Sequence, residues 1–187
     1  MIKLQVKDEV APLRAVVLGR ADSSGPVPTV EETYDPKSAM HIKKGTYPTI
    51  EDMVDEMEAV NKVFEKHNVK VYRPQLIEDY NQIFARDIAF VIEDKFIIAN
   101  ILEDRSKEID AIQYLIEQIN PDQVVRFPEK AHIEGGDVMP WGDFIFVGTY
   151  KEEDYKQQIT ARTNMKAVAY LQELFPDKKV VSFSLRK

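Results

Sequence analysis

The sequence contains no cysteine among its 187 residues. This absence excludes disulfide bonds, thiolate metal ligands and thiol nucleophiles within the chain. Histidine is also scarce, because only His41, His67 and His132 occur and they are scattered along the sequence. A metal site built from several histidines is therefore not expected, and the sequence predicts neither a metal nor a cofactor.

Long apolar runs are absent as well. No segment reaches the roughly 18 apolar residues that a membrane-spanning helix requires. The N-terminal stretch MIKLQVKDEV lacks the apolar core of a signal peptide, so we expect a cytoplasmic protein. The net charge of −7 argues against nucleic acid or a membrane as a partner, because both need basic surface. It is compatible with a cationic small molecule.

The length and composition are typical of one globular domain. Hydrophobic residues make up 44% of the sequence and charged residues 30%. A chain of 187 residues can bury a core but is short for two domains, so we predict a single domain over 1–187. Residues 21–48 carry four prolines and two glycines without periodicity, and they are predicted to form a long loop.

Apolar periodicity predicts alternating strands and helices. Short apolar runs predict four strands, at 12–20, 69–74, 123–127 and 179–185. Pairs of such runs predict hairpins, at 87–101 and 136–150. Helical spacing predicts three helices, at 49–67, 105–119 and 163–175. Thr49 and Asp52 have the spacing of a capping box at the start of the first helix.

Similar strand sequences recur along the chain. VKVYRP begins at residue 69, QVVRFP at 123 and KVVSFS at 179, with a hairpin and a helix predicted in each interval. This pattern predicts an α/β fold made of ββαβ repeats. Because such a unit buries its sheet only against neighbouring units, the repeats are expected to form an array or a closed ring.

Acidic residues occupy equivalent places in successive repeats. NQIFARD ends in Asp87 at the start of one hairpin, and HIEGGD places Glu134 and Asp137 at the start of the next. In a ring of repeats, equivalent positions converge on the axis, so these carboxylates are expected to gather. A planar guanidinium is the cation that matches them best, because its paired N–H groups meet carboxylate oxygens bidentately.

Each acidic motif also has a purely structural interpretation. An aspartate at the entry to a strand often caps a turn through its own backbone. Glu134, Gly135, Gly136 and Asp137 could form a bulge with solvated acids. The recurrence at matching repeat positions favours a functional site over these alternatives.

Three segments together resemble the pentein superfamily of guanidine-modifying enzymes. They are NQIFARD, HIEGGDV and FVGTYKEEDYKQQITARTNMKAVAYL, which occur in the order and spacing of that family. The superfamily includes arginine deiminase, dimethylarginine hydrolase and glycine amidinotransferase. The resemblance implies an α/β-propeller of five ββαβ blades around a central site, of which this chain would hold about three.

The resemblance also implies roles for individual residues. Asp87 would accept hydrogen bonds from the substrate guanidinium, and Glu134 would orient and charge-stabilise a general-base histidine. Asp137 would support the pocket, Phe84 would line it, and Arg162 would contact a substrate carboxylate or support the rim. A role as a surface arginine or as an arginine at the start of a helix is nearly as compatible with Arg162.

Two further residues are interpreted as structural. His132 lies two residues before Glu134, so the two side chains would share a face in an extended segment. The family places its base on a later blade, so His132 is not taken as that base. Trp141 is expected to pack in the hairpin rather than to serve as a substrate platform.

The sequence departs from the family at the nucleophile. The family reaction uses a cysteine thiolate that attacks the guanidinium carbon and forms a thiouronium intermediate, which water or an amine then resolves. The cysteine and the catalytic histidine come from the fourth and fifth blades. We therefore expect this chain to be the N-terminal part of a longer enzyme and inactive alone; a short non-catalytic relative is the alternative.

Two other kinds of function stay open. A non-catalytic binding protein on the same fold would have no carboxylate cluster and no affinity for guanidines. A carboxylate metal site made by Glu134 and Asp137 would hold a divalent ion, although no histidine is spaced to join it. An open sheet edge after the third blade would also favour a homo-oligomer, since unpaired strands invite partners.

Overall fold

The computed structural model describes residues 1–33, 35–150 and 163–185. These residues group into two compact units, and the single domain over 1–187 stays a prediction. The larger unit contains residues 1–12, 86–150 and 163–185, and the smaller unit contains residues 13–33 and 35–85. Within these ranges, no helix is long and apolar enough to cross a membrane.

A parallel pair of short strands forms the sheet of the smaller unit. Strand β1 (Ala15–Val17) pairs with β2 (Lys70–Tyr72), and helices α1 (Pro36–Lys43) and α2 (Ile50–Lys66) lie between them in the chain. Parallel strands need such a crossover, because the chain must return to the same end of the sheet. The strands predicted at 12–20 and 69–74 are confirmed in shorter form.

Helix α2 begins where the sequence predicts. The Thr49 hydroxyl accepts the Asp52 N–H at 3.1 Å, and the Asp52 carboxylate accepts the Thr49 N–H at 3.2 Å. These bonds satisfy amide groups that the first helical turn leaves without intrahelical partners. The capping box is therefore confirmed.

Helix α1 lies within the segment that the sequence predicts as loop. The Asp35 carboxylate accepts the Ser38 N–H at 2.7 Å, and Pro36 occupies the first helical position. The loop prediction over 21–48 is therefore wrong for these eight residues. The helix has no buried residue, so no apolar periodicity in the sequence reveals it.

Two three-stranded sheets of the same topology form the larger unit. In the first sheet, β3 (Ala89–Ile92) and β4 (Lys95–Ile98) form an antiparallel hairpin, and β5 (Val124–Arg126) pairs parallel with β4. A short helix, α3 (Ala85–Ile88), precedes β3 in the chain.

The second sheet repeats this arrangement. Strands β6 (Val138–Trp141) and β7 (Phe144–Thr149) form a hairpin, and β8 (Lys179–Ser184) pairs parallel with β7. The predicted ββαβ pattern is confirmed for both sheets of the larger unit. The sheet of the smaller unit has two strands instead of three.

The helices that join these strands differ in regularity. Helix α6 (Met165–Leu174) confirms the helix predicted over 163–175. The continuous helix predicted over 105–119 is wrong, because the chain forms a 3-10 turn followed by two short helices, α4 (Lys107–Asp110) and α5 (Gln113–Ile116). Four isoleucines in this stretch have branched side chains that restrict helical rotamers. Their apolar stripe is nevertheless buried, as Ile112 is 1% exposed.

The second sheet and its helix bury aliphatic side chains against each other. Ile145 and Val147 of β7 are fully buried, and so are Ala167 and Leu171 of α6. Helix α6 packs against β8. The alternation of strand side chains therefore gives the second sheet one face that is covered by a helix.

Candidate active site

Asp87 lies in α3, directly before strand β3. Its side chain is 18% exposed, and its Oδ2 accepts a hydrogen bond from Nη1 of Arg105 at 2.9 Å. The other oxygen, Oδ1, lies beside Gly136. No donor in the described part of the chain hydrogen-bonds to Oδ1, so Asp87 keeps one carboxylate oxygen for a further cation.

Arg105 is the positive charge at the centre of the site. Its Nε and Nη2 donate to the two carboxylate oxygens of Glu108 at 2.7 and 3.0 Å, which is a bidentate pair. Burial lowers the pKa of Arg105, but the hydrogen bonds and charges of Glu108, and then of Asp87, outweigh that effect. The pKa of Arg105 is therefore raised above its ordinary value, and the guanidinium stays charged.

Glu134, which lies just before strand β6 of the second sheet, also approaches the guanidinium of Arg105. The residue is 5% exposed, and its Oε1 lies 3.9 Å from Nη1 of Arg105. The structure thus brings Asp87 and Glu134 to one nitrogen atom, although they are far apart in the sequence. The group between these two acids is a guanidinium of the protein itself.

The two glycines after Glu134 are required by close approach. A Cβ on Gly135 would collide with the backbone carbonyl oxygen of Arg86 and would touch the ring of Phe90. A Cβ on Gly136 would lie 2.5 Å from Oδ1 of Asp87. Glycine at both positions therefore allows the Glu134 segment to pack directly on the segment that carries Asp87.

Arg86, the neighbour of Asp87, fastens these two segments together. Its Nε donates to the carbonyl of Gly135 at 2.9 Å, and its Nη2 donates to the carbonyl of Val138 at 2.7 Å. The same guanidinium forms an ion pair with Glu9 of the N-terminal arm at 2.7 Å. Arg86 therefore fixes the position of the acidic motifs through backbone contacts.

Asp137 is connected to Glu134 through the buried side chain of Thr163. Its Oδ2 accepts the Thr163 hydroxyl at 2.6 Å, and the Thr163 Oγ1 accepts the backbone N–H of Glu134 at 3.2 Å. Thr163 is completely buried. This chain of bonds connects Asp137 to the backbone of Glu134, which is a supporting arrangement rather than a direct contact with a ligand.

The remaining predicted residues are placed differently. Phe84 is 56% exposed and belongs to the smaller unit. Arg162 lies outside the described residues. His132 is exposed and Glu134 is buried. The intervening Ile133 forms an isolated antiparallel bridge with Asn100.

Sequence reasoning missed several residues of the site. Arg105, Arg86 and Thr163 contact the acidic motifs, and Glu108 pairs with Arg105. No role was predicted for any of the four. The spacing of Arg105 and Glu108, three residues apart, is a signal of an ion pair on one side of a helical turn. Nothing in the sequence indicates that Arg105 would also reach Asp87.

Three carboxylates of the described residues lie around Arg105. They belong to Asp87, Glu108 and Glu134, and each approaches its guanidinium. Over residues 1–33, 35–150 and 163–185, no group of three potential metal ligands is arranged to hold an ion.

Comparison with solved structures identifies proteins of the same fold. The inosamine-phosphate amidinotransferase from Streptomyces griseus matches with a TM-score of 0.70 and 16% identity, over 96% of this chain and 62% of its own. An amidinotransferase of saxitoxin biosynthesis from Microseira wollei matches with a TM-score of 0.69 and 15% identity, over 97% and 62% of the two chains. The chain shares the fold of these proteins.

A hydrolase and a curated protein extend the comparison. Dimethylarginine dimethylaminohydrolase from Pseudomonas aeruginosa, in complex with citrulline, matches with a TM-score of 0.64 and 17% identity, over 94% of this chain and 62% of its own. The uncharacterized protein YkgA from Bacillus subtilis is 26% identical over 136 residues, 71% of this chain and 43% of that protein. The chain thus spans less than two thirds of each, and no family model matches its sequence.

Proposed function

We propose that this chain supplies the substrate-binding acids of an enzyme that acts on the guanidino group of arginine or a related compound. The observation that carries the proposal is the convergence of Asp87 and Glu134 on one guanidinium, that of Arg105. The shared fold supports it, because the similar solved structures are two amidinotransferases and a dimethylarginine hydrolase. The reaction is amidino transfer or deiminase-type hydrolysis.

The acids have separate roles in this proposal. Oδ1 of Asp87 accepts a substrate N–H, while Arg105 holds Oδ2 and so fixes the direction of the carboxylate. Glu134 orients a histidine base. Asp137 supports Glu134 through Thr163. Phe84 and Arg162 retain their proposed places in the pocket wall and at its rim.

The nucleophile has to come from outside these 187 residues, because the sequence has no cysteine. In the proposed reaction, a thiolate forms a bond to the guanidinium carbon and the amine departs with a proton from the base. Water or a second amine then releases the product. We propose that the chain is the N-terminal portion of an α/β-propeller with about three of five blades, and that it is inactive alone.

Calorimetric titration with arginine tests the role of Asp87. We expect the chain to bind arginine. The substitution Asp87→Asn should raise the dissociation constant for arginine by roughly 10- to 100-fold, because a charged hydrogen bond is lost. Asp94→Asn is the matched control, since Asp94 is 56% exposed and lies in the turn between β3 and β4. The same samples should release no citrulline, ornithine or ammonia.

Two results would contradict the proposal in different ways. Equal arginine affinities for Asp87→Asn and the unaltered chain would remove Asp87 from the binding site. Product formation by the chain itself would refute the cysteine mechanism, since a protein without a thiol would then catalyse the reaction.

A non-catalytic binding protein on the same fold is the alternative. The absence of cysteine is the observation that favours it. This alternative predicts no heat of binding with arginine or with guanidinium chloride, so the same titration separates the two functions.

A further inference from the structure

A cavity of the smaller unit lies beside the carboxyl ends of its two parallel strands. Arg20 follows β1 in the chain, Arg73 follows β2, and both side chains line the cavity. The cavity has a volume of about 200 Å³. A space of roughly 150 Å³ is enough to hold a molecule of benzene, so this cavity can hold a small metabolite. Ligands of α/β proteins commonly bind outside the carboxyl ends of parallel strands.

The two arginines connect the segments that follow the two strands. Nη1 of Arg73 donates to the carbonyl of Gly19 at 2.7 Å, and Nη1 of Arg20 donates to the carbonyl of Pro74 at 3.0 Å. Each arginine therefore bonds to the backbone that follows the other strand. These crossed contacts fix the positions of both guanidinium groups at the cavity.

Each arginine is also paired with a carboxylate that lines the same cavity. Nε and Nη2 of Arg20 donate to the two oxygens of Asp22 at 2.8 and 2.6 Å. Nη2 of Arg73 donates to Oε1 of Glu58 at 2.6 Å. The hydrogen bond between Arg20 and Asp22 raises the pKa of Arg20 and lowers the pKa of Asp22, so both groups are charged near neutral pH.

The positive groups are less exposed than the negative ones. The side chains of Arg20 and Arg73 are 24% and 27% exposed, whereas those of Asp22 and Glu58 are each 49% exposed. Hydrogen bonds within the described residues occupy three N–H groups of Arg20, and a guanidinium has more than three. A ligand can therefore bond to Arg20 without breaking the pair with Asp22.

Helix α2 supplies an apolar wall. Val54 and Met57 line the cavity and lie three residues apart, so their side chains are neighbours on one side of the helix. Ala21, which is 2% exposed, adds a further apolar group. The cavity thus combines charges of both signs with an apolar surface.

We propose that this cavity binds a free α-amino acid with an apolar side chain. Its carboxylate meets Arg20 and Arg73, its ammonium group meets Asp22 and Glu58, and its side chain contacts the apolar wall of α2. This site goes beyond the proposed guanidine chemistry and does not rest on it, because all its residues belong to the smaller unit.

The pattern of charges selects a zwitterion over simpler ions. An anion without an ammonium group would lie close to the carboxylates of Asp22 and Glu58, and a cation without a carboxylate would lie close to the two arginines. A molecule that carries both charges on one carbon atom can meet both kinds of partner at once. Arginine fits less well than an apolar amino acid, because its guanidinium would be placed against an apolar wall.

Calorimetric titration with L-leucine and two analogues tests the ligand class on the unaltered chain. We expect leucine to bind with a dissociation constant below about 1 mM. L-Leucinamide lacks the carboxylate and isocaproate lacks the ammonium group, while both keep the apolar side chain. Each should bind about tenfold more weakly than leucine, because hydrogen bonds between charged groups are lost.

NMR of methyl-labelled methionine residues locates the bound leucine. The methyl resonance of Met57 should move with the leucine concentration and saturate at the dissociation constant that calorimetry gives. The resonance of Met165, which is 42% exposed on α6 of the larger unit, is the internal reference and should not move.

A pair of variants on α2 tests the ammonium position. In Glu58→Gln, the preference for leucine over isocaproate should fall by about fivefold, the size expected for a partly exposed ion pair. Glu56→Gln is the matched control, because Glu56 is exposed on the same helix and does not line the cavity. If Glu58→Gln does not fold, the two analogues and the Met57 resonance still decide the proposal.

Each outcome supports or overturns the proposal. Leucine binding that moves Met57 and weakens in both analogues supports it. Lack of leucine binding overturns it, and so does binding that leaves Met57 unmoved. An analogue that binds as tightly as leucine also overturns it, as does an unchanged preference in Glu58→Gln, because the charged groups would then have no part in recognition.

Discussion

Replacing Arg105 by methionine is expected to destabilise the larger unit by about 3–5 kcal/mol, because the change leaves buried carboxylates without their cation. Glu108 has a side chain only 2% exposed and Asp87 one that is 18% exposed, so water cannot replace the lost guanidinium. The measurement is urea unfolding followed by fluorescence of Trp141, which is the single tryptophan and lies in the larger unit.

A double variant and the pH provide the controls for this prediction. Arg105→Met combined with Glu108→Leu should recover part of the lost stability, because it removes the buried charge together with its partner. A buried carboxyl without a cation has a raised pKa in the folded protein. Such a group destabilises the fold while it is ionised, and this penalty disappears when the group is protonated. The deficit of Arg105→Met should therefore shrink as the pH falls from 7 to about 5. A single variant with a cost below about 1 kcal/mol would show that the pair is solvated.

Replacing Gly135 by alanine is expected to cost about 3 kcal/mol, at the upper end of the range for overpacking. The added Cβ would collide with the backbone carbonyl oxygen of Arg86, and a backbone atom cannot move aside as a flexible side chain can. Relief of the collision would separate the segment of Glu134 from that of Asp87. The same urea experiment measures the loss.

Gly142→Ala is the matched control in the same unit. Gly142 has a φ of +54°, and no atom lies within 4 Å of an added Cβ, so alanine there meets only the backbone strain of the left-handed region. That strain is about 1–2 kcal/mol. A loss for Gly135→Ala no greater than that of the control would mean that the two acidic segments do not pack as described.

Periodic apolar patterns predicted the elements that bury a stripe or a strand. Helix α2 with its Thr49 cap, helix α6 and the strands of both three-stranded sheets were all indicated by such patterns. Helix α1 was not, because its stability comes from a local cap at Asp35 and Pro36 rather than from burial. The segment 105–119 buries the apolar stripe that the sequence indicates, but it forms a 3-10 turn and two short helices instead of one continuous helix.

Some residues of the candidate site were likewise predictable from the sequence, and others were not. The motifs that contain Asp87, Glu134 and Asp137 were visible because acids and glycines recur at matching places. The pairing of Asp87 with Arg105 was not, since a whole hairpin separates the two residues and only the tertiary fold brings them together. The need for glycine at 135 likewise depends on the carbonyl of Arg86, which is distant in sequence.

The central claim is that acids from separate segments meet to bind a flat, delocalised cation. A crystal structure of the protein with arginine tests it most directly. The account predicts the ligand guanidinium at Oδ1 of Asp87, with Glu134 at the same cavity and Arg105 still bonded to Oδ2. Arginine bound elsewhere, or Asp87 and Glu134 facing separate cavities, would contradict the account.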